Sequence, residues 1–125
     1  MNLTALDILN KYEGFEKLAT KDVDLITACS VAKNIKELSI HKEVIDKKRN
    51  ELILKYAIRD EEGNLIQDEN GSVRIDNSDV ETFNKEIYEF LNTEIDVDLK
   101  KISIDKLSEL KVSPSDIVSL LDILE

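Results

Sequence analysis

Cys29 and His41 are each the sole representative of their residue type. A thiolate nucleophile needs a base within hydrogen-bond reach. Twelve residues separate the two within one expected helix, which puts them about 18 Å apart at 1.5 Å per residue. They form no dyad, and Cys29 is expected to be a small buried hydrophobe. One Cys and one His fall short of the four ligands a zinc site takes. Gly14, Gly63 and Gly71 are the only glycines, and none lies in a phosphate-cradling pattern. A calcium loop needs glycine at its sixth position; counted from Asp60 that position is Leu65, and from Asp68 it is Val73. The carboxylate pairs Asp60/Glu62 and Asp96/Asp98 have no partner base to make them an acid/base couple. With no Trp in the chain, base or sugar stacking has little to work with. The expectation is no enzyme, no catalytic residue, no metal and no cofactor.

What the acids do offer is a concentration of charge. Residues 59–98 hold 13 acids against 3 bases, whereas residues 1–58 hold 9 acids and 10 bases and residues 99–125 hold 5 and 4. The whole net charge of −10 therefore sits in one block. Such a block repels nucleic-acid phosphate, so no direct nucleic-acid partner is expected. Either it is a solvated, solubilising surface, or it is a face that steers a basic protein into contact. The sharpest form of the second reading is a DNA mimic, whose carboxylates stand in for phosphates. Asp60, Glu61, Glu62, Asp68, Glu69, Asp76, Asp79 and Glu81 are the candidate partner-binding residues.

Positioning those acids falls to the elements around them. Residues 4–12 read as a short helix capped by Thr4 and stopped at Glu13-Gly14. A long helix runs from Thr20 or Lys21 to about Tyr56 with no Gly or Pro. Val31, Leu38, Ile45 and Leu52 recur along it every seventh residue, a coiled-coil-like stripe that needs a partner helix. That partner is either the returning helix of this chain or a second copy, which would make a homo-oligomer. Asn70-Gly71 is a strong two-residue hairpin signal and would place Ile66 opposite Ile75. Ser78 with Glu81 has the form of a capping box, opening a helix over 78–93 that carries Val80, Phe83, Ile87, Phe90 and Leu91 on one face. Alternation over Ile95, Val97 and Leu99 predicts a strand beside the hairpin. A short helix over 102–111, capped by Ser103, and a last one opening Ser113-Pro114 complete the chain. No internal repeat is expected.

The fold class expected is thus α+β and mainly helical. The long helix pairs with the returning helix, a small three-stranded antiparallel sheet includes the Asn70-Gly71 hairpin, and short terminal helices close the core. At 125 residues, with 42% hydrophobic and 35% charged, the chain fits one domain, 1–125, able to bury its own core. There is no apolar run of membrane length and no basic n-region at the start. Together with the lone cysteine, this predicts a cytoplasmic location.

At Leu54-Lys55-Tyr56-Ala57-Ile58-Arg59-Asp60-Glu61-Glu62-Gly63-Asn64, then Phe83-Asn84-Lys85-Glu86, the chain resembles a family of small uncharacterised proteins of tailed phages and prophages of low-GC bacteria. The likeness covers about residues 30–100. It implies a viral origin and a place in the cytoplasm of the bacterial host, and it carries no functional residues. The resulting expectation is a non-enzymatic phage accessory protein that binds a host or phage protein through its acidic surface, for example as an inhibitor of a host defence or DNA-binding protein. The alternative is a structural or assembly protein, or a chaperone of phage particles, that self-associates through its long helix.

Overall fold

The computed structural model describes residues 1–125. In chain order its elements are β1 (Asn2–Thr4), α1 (Ala5–Leu18), α2 (Leu25–Tyr56), α3 (Val80–Leu91), β2 (Glu94–Asp96) and a single helical turn, α4 (Pro114–Ile117). The class is mainly helical α+β. No helix is long and apolar enough to cross a membrane.

Thr4 opens α1 as its sequence position predicts. Its hydroxyl accepts from the Asp7 N–H at 3.1 Å, and the Asp7 carboxylate takes the Thr4 N–H at 3.2 Å, so two otherwise orphaned donors are satisfied. The helix does not stop at Gly14. It continues to Leu18, because Ile8, Lys11, Phe15 and Leu18 form one buried face. Gly14 works there as a spacer. A Cβ at that position would meet Ser119 Oγ at 2.7 Å and Leu120 Cγ at 3.1 Å, so glycine is what lets the C-terminal segment lie against α1.

In α2 the heptad stripe is core. Val31, Leu38 and Ile45 are buried with Leu3, Ala5, Ile8, Phe15 and Leu18 from the first elements and Val97, Ile102, Leu120 and Ile123 from the last; Leu52 extends the stripe. The chief partner of α2 is α1, and α3 meets only part of it, near Tyr56. The expected pairing with the returning helix is therefore the minor one. The start of α2 at Leu25 lies later than Thr20 or Lys21, since the backbone at Asp24 is extended. Cys29 is exposed, contrary to the expectation of burial. At about 100° per residue it falls on the side of α2 turned away from the Val31–Leu38 stripe.

The only sheet is two-stranded and antiparallel: β1 pairs with β2, Leu3 opposite Ile95. The three-stranded sheet is not present, and the alternation after Thr93 pairs with the chain's first residues instead of with the hairpin. Ile102–Lys111 forms one 3₁₀ turn, Ile104–Leu107, with no side-chain cap from Ser103. At the end of the chain, Pro114 holds the first helical position of α4 as expected. Ile102 and Leu124 form a parallel bridge that ties the last residues to the core.

Candidate functional site

Between α2 and α3 the chain turns three times with the same chemistry. Asp60 Oδ1 accepts from the N–H groups of Glu62 and Asn64, both at 2.9 Å. Eight residues on, Asp68 Oδ1 accepts from Asn70 and Ser72 at 2.9 and 3.0 Å. Eight further, Asp76 Oδ1 accepts the N–H and hydroxyl of Ser78 at 2.9 and 2.7 Å. The Gly63, Gly71 and Asp79 N–H groups close these turns onto the carbonyls of Asp60, Asp68 and Asp76. An Asp-x-x-Gly spacing of eight is thus an internal repeat, contrary to the expectation of none.

The repeat explains both the register and the exit. Gly63 and Gly71 have φ near +85° and +81°, and no other residue type has positive φ. A two-residue turn at Asn70-Gly71 would require positive φ at both. Asp68 instead captures the Asn70 N–H, Asn70 does not take positive φ, and the loop gains a residue. Gln67 then pairs with Val73, so Ile66 faces Arg74 and not Ile75. In the third turn the glycine position is Asp79, whose φ of −104° is right-handed. The chain cannot swing back and runs on into α3. Ser78 is spent on Asp76, so the expected Ser78–Glu81 capping box does not form.

Three extended segments result, linked by bridges between Arg59 and Leu65, Gln67 and Val73, and Ala57 and Ile75. Their hydrogen bonds close a ring: Ile66 N–H donates to Ile58, Arg74 to Ile66, and Ile58 to Arg74, at 3.0, 2.9 and 2.9 Å. Each segment pairs with both others, which leaves no long open edge.

The eight candidate acids divide accordingly. Asp60, Asp68 and Asp76 hold turns; for Asp76 the backbone and hydroxyl bonds from Ser78 keep the carboxyl below the ordinary aspartate range. Glu61, Glu62, Glu69 and Glu81 are exposed, Asp79 is half-buried, and none makes a side-chain hydrogen bond or ion pair. Across 59–98, only Glu86 and Asp96 meet a cation, Lys55 and the first amino group respectively. Glu86 also accepts the Tyr56 hydroxyl at 2.6 Å, a clasp between α2 and α3 that sequence reading missed. Surface clefts lie on α1, the start of α2 and the C-terminal segment, and these do not reach residues 59–98. No three His, Cys, Asp or Glu side chains gather as a metal site would require. The arrangement is an exposed set of uncompensated carboxylates on a hydrogen-bonded frame. Compared with known proteins, the chain matches no family model, no curated protein and no solved structure.

Proposed function

We propose that the chain is a non-enzymatic accessory protein of a tailed phage or prophage, acting in the host cytoplasm, that docks the acidic ring and α3 on a basic surface of a host or phage protein. The observation that carries the reading is that 11 of the 13 acids in residues 59–98 have no cationic partner within the chain. Charge left uncompensated on an exposed surface raises the encounter rate with a basic partner and rejects acidic ones. In its sharpest form the partner is a DNA-binding or defence protein whose phosphate site these carboxylates fill.

The test is capture from host lysate on the immobilised chain with elution by a salt gradient. It is run beside a variant carrying Glu61→Lys, Glu62→Lys, Glu69→Lys and Glu81→Lys, which spares the three turn-forming aspartates. A basic protein retained by the native chain, released by moderate salt and lost by the variant supports the reading. Retention indifferent to both salt and charge reversal sinks it. The alternative, a structural or chaperone role through self-association, loses the Val31–Leu38–Ile45–Leu52 stripe as its contact, because that stripe is filled by the chain's own α1 and C-terminal residues.

A further inference from the structure

On α2, roughly 120° around from the buried stripe, a second seam faces solvent. Ile26, Lys33, Ile40, Lys47 and Leu54 recur every seventh residue, and Ser30, Glu37, Val44 and Glu51 recur four further on. All but Ser30 and Glu37, which are half-buried, are exposed. Ile40 and Val44 at its centre keep 56% and 65% of their surface. These are the two interleaved positions through which helices pair side by side.

We infer that this seam is a contact between two copies of the chain, with their α2 helices antiparallel about a dyad between Ile40 and Val44. In that register Ile40 meets the second copy's Val44. Lys33 meets the second copy's Glu51, and Glu37 meets the second copy's Lys47; symmetry repeats each pair. Ser30 lies opposite Leu54. Apolar side chains fill the centre, and four opposite-charge pairs flank it. Reversing one helix destroys the match, since a parallel pair sets Lys33 against Lys33 and Glu37 against Glu37. The order of charges along the seam thus complements itself in one orientation, which favours a second copy over an unrelated helix. Glu37 reaches the seam with one carboxylate oxygen already 3.2 Å from His41 Nε2. The contact is modest, two central apolar layers with exposed ion pairs, so association belongs to high protein concentration.

The test is sedimentation equilibrium at about 0.15 M salt, where charges more than about 8 Å apart are largely screened, up to about 1 mM chain. The native chain forms dimers. A variant with Lys33→Glu and Lys47→Glu, and another with Glu37→Lys and Glu51→Lys, each self-associate at least about tenfold more weakly. Mixed, they form a heterodimer, because every pair is opposite again. Control variants with the same changes of net charge off the seam, Lys21→Glu with Lys111→Glu and Glu61→Lys with Glu62→Lys, dimerise like the native chain. Monomers throughout, or seam variants indistinguishable from the controls, overturn the inference. Cys29 reports the direction: the antiparallel register holds the two thiols about 39 Å apart along the axis. A Cys29–Cys29 crosslink on mild oxidation of the dimer therefore also overturns it. The inference stands apart from acidic docking, since reversing Glu61 and Glu62 perturbs docking and leaves the seam intact.

Discussion

Asn34 is a wholly buried polar side chain in the middle of α2, and its amide is committed at both ends. Its Nδ2 donates to the Lys100 carbonyl at 2.9 Å, and its Oδ1 accepts the Lys100 N–H at 2.6 Å. The amide mimics a backbone neighbour for a segment that has no strand partner there. An aspartate at this position keeps the acceptor, loses the donor and faces the carbonyl with a second negative oxygen. Asn34→Asp should therefore cost about 2–4 kcal/mol at neutral pH. Burial raises the new carboxyl's pKa in the folded state. A raised folded pKa confers stability that is full below the unfolded value, about 3.9, and lost as pH rises through the folded one. The variant is thus closest to native near pH 4 and worst at pH 7. Urea unfolding at both pH values checks this, and a penalty independent of pH would show that the carboxylate is not confined.

At the scale of elements, the clasp between α2 and α3 makes a prediction of its own. The hydrogen bond from Tyr56 is the main cause holding the Glu86 carboxyl below its ordinary 4.5, with Lys55 adding to it, and the same bond raises Tyr56. A depressed carboxyl contributes stability that is present above the unfolded pKa and is lost as pH falls through the folded one. Tyr56→Phe should therefore be less stable than native at pH 7, with the difference narrowing as pH falls below the ordinary 4.5 and through the lowered value of the folded state. Thermal unfolding from pH 7 to 3 measures it; a constant gap would mean that the hydroxyl stabilises the fold whether or not Glu86 is ionised, since the ring that stands edge-on to Phe83 at 6.0 Å is common to both chains. Such pairings between distant elements were not legible in the sequence, whereas periodicity and capping were. The Val31–Leu38–Ile45–Leu52 spacing, the Thr4 cap and Pro114 at the start of α4 each follow from local chemistry. What periodicity withholds is the identity of the partner: the stripe fits α1 as well as α3, and Ile95–Leu99 fits β1 as well as the hairpin. Gly14 reads as a helix stop when only the chain on either side of it is in view. It becomes a spacer once Ser119 and Leu120 arrive from the far end. Asp76 took Ser78 from its cap, and the eight-residue Asp turn, visible at Asp60, Asp68 and Asp76, was the signal that could have said so. The acidic block itself was legible as charge, but the split between turn-forming and free acids was not, because it depends on which N–H groups each carboxylate reaches.

For the whole molecule, apolar burial and charge are segregated. Every buried hydrophobic residue lies at or before Leu52 or at or after Val97, so the acidic span between them contributes backbone hydrogen bonds and little buried surface. Its own repulsion is carried on turns that the Asp carboxylates hold locally. Stability should follow the same division, because sub-global openings occur where few apolar contacts are broken. Amide hydrogen exchange should give the slowest protons in α1 and in α2 from Val31 to Leu52. The ring protons of Ile58, Ile66 and Arg74 should exchange at least about two orders of magnitude faster, although all three are hydrogen-bonded. Asp68→Ala removes two acceptor bonds from the middle turn and should speed exchange in the ring, leaving the slow protons of α2 unchanged. Equal protection of ring and helices, or a loss in α2 upon Asp68→Ala, would mean that the ring folds cooperatively with the core. In that case charge reversals within the ring would disturb the whole chain and could not be read as loss of a docking face. The exchange measurement therefore comes before the binding one, because it establishes whether the acidic surface can be altered while the helices that carry it stay folded.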